Sequence, residues 1–184
     1  MAPLPWFVGE AGLEAYKNPQ QFLVLDYETT NINKGAALEE SNEIVLACWY
    51  VVTPDGVVAK HHWGNQYEQS ELEKDVKESQ FVVAHNAKFE LQWLKRSGLE
   101  LHDILVFDTM LGEWVIGGNR WKLQDLSLEE TSHRYGFGDK ESVASYLIKK
   151  GVCPSVIPRE WLLPYCYRDI ELTYYIFQEQ VERL

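Results

Sequence analysis

No uninterrupted apolar run in this chain approaches the ~20 residues that a bilayer-spanning helix needs, so no membrane segment is expected. Cysteine is scarce: Cys48, Cys153 and Cys166 are the whole complement, and no two have CxxC spacing. That pattern argues against a disulfide framework and a zinc site, and it suits a reducing compartment. Repeats, low-complexity tracts and Gly/Ser- or Pro-rich linkers are lacking too, which predicts one domain over residues 1–184. The opening MAPLPWFVGE has no positive charge ahead of an apolar core, so a cytoplasmic protein without a secretory signal is expected.

Positive charge is also in short supply. Seventeen Lys and Arg face 28 Asp and Glu, for a net charge of −11. A protein that grips nucleic-acid phosphates normally carries a basic face. An acidic chain can still act on phosphates if its carboxylates gather around divalent cations. Otherwise the excess merely keeps the surface soluble. Charge alone favours the second reading, and only the positions of the acids can decide.

What is present reads as strands followed by alternating strands and helices. QFLVLDYETT (21–30) and EIVLACWYVVTP (43–54) are dense in β-formers. Pro54-Asp55-Gly56 predicts a hairpin turn into VVAKHHW (57–63), giving an antiparallel meander. YEQSELEKDVKES (67–79) predicts an exposed helix. FVVAHN (81–86) reads as a buried strand leading into the helix AKFELQWLKRSG, with Asn86 as its cap and Gly98 as its stop. LVFDTM (105–110) is extended as far as Asp108. LGEWVIGG, LQDLSLEETSHRYG and ESVASYLIKKG then read as helices. The segment from Pro158 to Leu184 is one long helical pattern, with Pro158 and Pro164 as breaks near its start. This order predicts an α/β fold with helices packed on a mixed sheet.

Three constellations could carry chemistry. Asp26 and Glu28 are two apart on a strand, so both side chains leave the same face. Like charges side by side on an apolar strand call for a cationic partner, and a hard divalent ion suits oxygen ligands. The plain alternative is the start of a solvated loop. Tyr165 and Asp169 share a face of the last helix by their i, i+4 spacing, with Leu172, Tyr175 and Ile176 continuing it. A salt-bridged acid beside a core tyrosine would explain that pair equally well. Glu90 lies in a first helical turn, where the helix dipole alone would justify a carboxylate.

A DxE strand, then HNxKF followed by an acid, then YxxxD on a late helix resembles the DEDD exonuclease superfamily in its tyrosine-containing variety. The likeness is in particular to the proofreading 3′–5′ exonuclease domain of family A, phage-type DNA polymerases. It extends over nearly the whole chain, including FDTMLGEW (107–114) and KLQDLSLEETSHRYG (122–136). It implies an RNase H-like (DnaQ-like) fold, a mixed five-stranded sheet flanked by helices. Carried over residue by residue, the metal-binding acids fall on Asp26, Glu28, Glu90 and Asp169, and the catalytic tyrosine on Tyr165. At Glu90 this sequence departs from the family, whose second motif usually ends in aspartate. The extra methylene puts the rate or the preferred metal in question, because displacements of about 1 Å can cost ~10²-fold.

The resemblance further implies two divalent ions, Mg²⁺ or Mn²⁺, about 3.5–4 Å apart on the terminal phosphodiester. Asp26 would bridge both. Glu28 and Asp169 would complete the first, Glu90 would support the second, and Tyr165 would orient the attacking water. No covalent intermediate is implied, in keeping with the lack of a Ser-His-Asp or Cys-His arrangement. Thr29, Asn86 and Phe89 are the expected contacts to the terminal nucleotides, although Phe89 also reads as core. Lys88, Arg120, Lys122 and Arg168 are candidate phosphate contacts that could equally be plain surface cations. Asp108 reads as a structural or supporting acid, and His61 and His62 face opposite ways on their strand.

The expected partner is a single-stranded DNA 3′ end, served alone or for a separately encoded DNA polymerase. A phage-encoded protein working in the host cytoplasm is one form this takes. Two alternatives stand: an RNA-trimming exoribonuclease of the same superfamily, whose metal chemistry is shared, and a weakened binding or scaffold module. Glu90 is the one feature favouring the module. The retention of four mutually repelling acids and the tyrosine opposes it.

Overall fold

In a computed structural model, residues 15–64, 71–102, 104–118, 125–139 and 141–184 are described. The residues Arg120 and Lys122 and the starts of the expected helices at 67 and 123 lie outside them.

Five strands form one mixed sheet in the order β3-β2-β1-β4-β5: β1 Phe22–Thr29, β2 Ile44–Thr53, β3 Gly56–Trp63, β4 Phe81–Ala84 and β5 Leu105–Asp108. Strands β1 to β3 make the expected antiparallel meander, and Pro54-Asp55 closes the hairpin between Thr53 and Gly56. Strand β4 joins β1 in parallel, and β5 joins β4 likewise. This is the RNase H-like architecture. The α-helices that lie wholly among the described residues are α1 Glu71–Glu78, α2 Lys88–Arg96, α3 Thr109–Ile116, α4 Leu128–Tyr135, α5 Val143–Lys149 and α6 Arg159–Arg183.

Alternation along β1 assigns its two faces. Leu23, Leu25 and Tyr27 pack under α1 and α2 with Trp49, Val76, Trp93 and Leu94. Helix α1 is therefore less exposed than its polar sequence predicts, because Leu72, Asp75 and Val76 are buried against the sheet. Phe22 and Val24 face α6, in a core shared with Cys48, Phe81, Phe107, Cys166, Ile170 and Phe177. Asp26 and Glu28 continue this α6-facing row toward the strand's end.

The docking of α6 sets the level of its acids. Phe177 meets Phe22 at 5.1 Å and Phe107 at 4.9 Å between ring centroids, and such pairs contribute about 0.5–1.5 kcal/mol each beyond area burial. From Phe177 back to Asp169 is a rise of about 12 Å along a helix. From Phe22 forward to Asp26 is about 13 Å along a strand. The aromatic anchor at one end therefore brings Asp169 level with Asp26 at the other. Pro164 does not break α6 as its sequence suggests: the helix runs through it, with Leu162, Tyr165 and Cys166 buried on either side.

Candidate active site

At the end of β1 the pairing register with β2 slips between Glu28, opposite Leu46, and Thr29, opposite Ile44. A bulge of this kind turns side chains that strict alternation would fix. Beyond it the chain enters the 3₁₀ segment Ile32–Gly35, where Asn33, Lys34 and Gly35 all have positive φ. A Cβ on Gly35 would stand 2.3 Å from Thr29 Oγ1 and 3.4 Å from Phe89 Cζ. Glycine is thus what lets this segment close over Thr29 and Phe89. Thr29 is buried, and Phe89 is half-buried against the α2 side of the core.

The turn between β4 and α2 departs from expectation. Asn86 does not cap α2: it is exposed at φ 66°, and Ala87 occupies the cap position without a side-chain hydrogen bond. The turn is held instead by Asp108, at the end of β5. Its carboxylate accepts from the backbone N–H of Asn86 and of Ala87, each at 3.0 Å, and from Met110 N–H at 2.9 Å while capping α3. Asp108 is therefore the supporting acid expected of it, and it fixes the backbone from which Glu90 projects. His85 ties the same turn to Thr109 Oγ1 and the Leu126 carbonyl.

Glu90 is buried, with 3 % of its surface exposed, and its Oε2 has no hydrogen-bond partner. Burial, and after it the nearby charge of Asp26, raise its pKa well above the ordinary carboxyl value; Asp108 and Glu28 push the same way. A carboxylate oxygen buried without a donor is costly unless it meets a cation. Asp169 lies 4 % exposed on α6, one turn beyond Tyr165. Burial drives the Tyr165 phenol far above its usual pKa, reinforced by Asp169, Glu28 and Asp26. Asp26 and Glu28 thus lie near both Glu90 and Tyr165. Asp26, Glu28, Glu90, Tyr165 and Asp169 come together from a strand end, a helix start and the middle of α6.

One member of this cluster is invisible in the sequence pattern. Cys166 Sγ stands 3.5 Å from Asp26 Oδ2, and ligand-capable atoms of Asp26, Glu28 and Cys166 lie within 4.8 Å of one another. Cys48, paired with Asp26 across β1–β2, is buried in the same core cluster as Cys166. The only hint in the chain is that Cys166 directly follows Tyr165. Scarce, widely spaced cysteines gave no reason to expect a sulfur at a carboxylate cluster.

Arg168 is committed to the Phe137 carbonyl at 2.8 Å and to Glu171, and Lys88 is exposed. Tyr175, expected to pack inward, is 37 % exposed, whereas Leu172 and Ile176 are fully buried. No helix among the described residues is long and apolar enough to cross a membrane.

The donor set fits hard divalent cations: several carboxylates, one of them with an unpartnered buried oxygen. A family model described as 3′–5′ exonuclease, of the family A DNA polymerase type, matches residues 10–184. A search of curated proteins finds no match. The chain belongs to the 3′–5′ exonuclease family of the family A polymerase type, within the DEDD superfamily.

Proposed function

We propose that this protein is a single-domain, metal-dependent exonuclease that removes nucleoside 5′-monophosphates from single-stranded or frayed DNA 3′ ends. The observation that carries the reading is Glu90: a buried carboxylate with an unpartnered oxygen, close enough to Asp26 for its charge to be felt. Asp26, Glu28, Glu90 and Asp169 would hold two divalent ions, Mg²⁺ or Mn²⁺. Such ions, when bound, supply Lewis-acid stabilisation of the phosphodiester and acidify a water.

The remaining work belongs to the chain's own side chains. Tyr165 keeps its proton at working pH, so its hydroxyl positions the attacking water by hydrogen bonding and does not serve as a base. Thr29, at the bulge, and Phe89, against the Ile32–Gly35 segment, flank the terminal nucleotide. Asn86, exposed on a turn fixed by Asp108, offers its amide to the same end. A separately encoded DNA polymerase is the partner that such trimming would serve, in the cytoplasm.

The test is degradation of a 5′-labelled single-stranded DNA oligonucleotide with Mg²⁺, Mn²⁺ or EDTA, beside Asp26→Ala. The expected result is a metal-dependent ladder shortening from the 3′ end, missing in the variant. An RNA oligonucleotide of the same sequence measures substrate preference. Folded protein that cleaves neither polymer with either metal would refute the proposal.

A further inference from the structure

We propose that Cys166 is a soft-metal ligand of this centre: with Asp26 and Glu28 it captures zinc- and cadmium-class ions, and so sets which divalent cations the site accepts. The inference rests on the metal centre proposed above and adds a sulfur donor to it. Three observations carry it. First, Sγ of Cys166 and Oδ2 of Asp26 are 3.5 Å apart. An ion with bonds of about 2.3 Å to sulfur and about 2.1 Å to oxygen, at the tetrahedral angle, holds those donors about 3.6 Å apart. Second, Glu28 offers a third donor within the same 4.8 Å set. Third, Glu90 Oε2 is buried without a hydrogen-bond partner beside the same carboxylates, so the cluster has an oxygen to give to a cation.

The two classes of ion would use the thiol differently. Hard Mg²⁺ takes oxygen ligands and leaves the Cys166 S–H donating to Asp26. A soft ion favours sulfur; as the sulfur–metal bond forms, the thiol proton passes to solvent and no electrons change hands. The position of Cys166, directly after Tyr165 on α6, means that a soft ion bound there would sit against the hydrolytic machinery. Zinc or cadmium would then compete with the ions that support hydrolysis.

The experiment is titration of the reduced, metal-free full chain with Cd²⁺, following the ultraviolet charge-transfer absorbance of thiolate–cadmium bonds. A chromophoric chelator measures affinity in parallel. Wild type is expected to show a saturable band that excess Mn²⁺ reverses. The band should vanish in Cys166→Ser, weaken in Asp26→Asn, and survive in Cys48→Ala and Cys153→Ser. Cys166→Ser should weaken Cd²⁺ binding by more than the roughly 10- to 100-fold that loss of an outer-shell partner costs, and Mg²⁺ binding far less. Cadmium-113 NMR of the wild type, with a shift expected for one-sulfur ligation, needs no variant and covers the case in which Cys166→Ser fails to fold. Cd²⁺ that binds without a band, or a band that persists in folded Cys166→Ser, overturns the role of Cys166 while leaving the carboxylate centre standing. Absence of both Cd²⁺ and Mn²⁺ binding overturns the metal centre itself.

Discussion

Glu90→Asp would restore the residue usual in the family, yet it is expected to damage this protein. Glu90 projects from the first turn of α2, whose backbone is set by the Asp108 clamp on Asn86 and Ala87. Its carboxyl is buried beside Asp26 from that fixed root. Removing one methylene withdraws the oxygens by roughly a bond length, and a misplacement of about 1 Å can cost ~10²-fold in rate. That is about 2.7 kcal/mol of barrier. The packing loss is smaller: about 0.8 kcal/mol for one buried methylene, or a Tm lower by roughly 2–3 °C for a chain of this size. The two effects are therefore separable. Single-turnover cleavage of 5′-labelled single-stranded DNA in Mg²⁺, with thermal unfolding in parallel, should show a hundredfold slower variant that is almost as stable as its parent. A variant as fast as wild type, or faster, would mean that the backbone adjusts to either acid and that the geometric reasoning is wrong.

Glu90→Gln tests the electrostatics of the same position. Burial and Asp26 raise the folded-state pKa of Glu90 above its ordinary 4.5. Its contribution to metal-free stability is therefore full below pH about 4.5 and is lost as pH rises through the raised value. Since glutamine does not ionise, Glu90→Gln in EDTA should gain Tm over wild type progressively as pH rises above about 4.5; a pH-independent difference would contradict the shift. Tyr165→Phe should lower the single-turnover rate by about 10- to 100-fold through loss of water positioning. Wild type should show no alkaline limb from Tyr165, because burial and three acids keep the phenol protonated; a limb that disappears in the variant would show a titrating tyrosine instead. Gly112→Ala places a Cβ 2.4 Å from Gln180 Oε1, where Gln180 is fully buried and donates to the Thr109 carbonyl at 2.9 Å. Denaturant unfolding should show a loss of about 1–3 kcal/mol from overpacking at the α3–α6 contact, and an unchanged midpoint would show that Gln180 yields freely.

Most of the sheet could be read from the chain because its strands are uninterrupted β-formers bounded by turn residues. Strands β1, β2 and β3 begin and end within a residue or so of where the pattern puts them. The carboxylates were legible as types at spacings, since Asp26-Tyr27-Glu28 and Tyr165–Asp169 each obey a local periodicity. What was illegible depends on tertiary partners. Asn86 has the chemistry of a cap, but Asp108, 22 residues on, captures the turn's N–H groups and frees Asn86 to adopt positive φ. Tyr175 follows Leu172 at i, i+3 spacing, yet the packing against α6 buries Leu172 and Ile176 and leaves Tyr175 exposed. Pro164 has no N–H to give its helix, but buried neighbours hold the turn in place. Cys166 meets Asp26 across 140 residues, a contact that no local pattern encodes.

The acid cluster also reconciles a net charge of −11 with the proposed phosphodiester substrate. None of the three segments that supply the acids would hold them together alone, since like charges at close range favour separation or protonation. What opposes that repulsion is apolar packing remote from it: Phe177 on Phe22 and Phe107 anchors α6 at the far end, and helical and strand rise do the rest. The folded sheet thus carries a local electrostatic cost that the proposed cations would relieve, which would couple cation binding to stability by linkage. On the proposed function, attraction to the nucleic acid would be local, directed at one phosphodiester through cations. Binding of this kind should lose less affinity with added salt than a groove lined with many Lys and Arg, because few counterions are released by the protein's own charges.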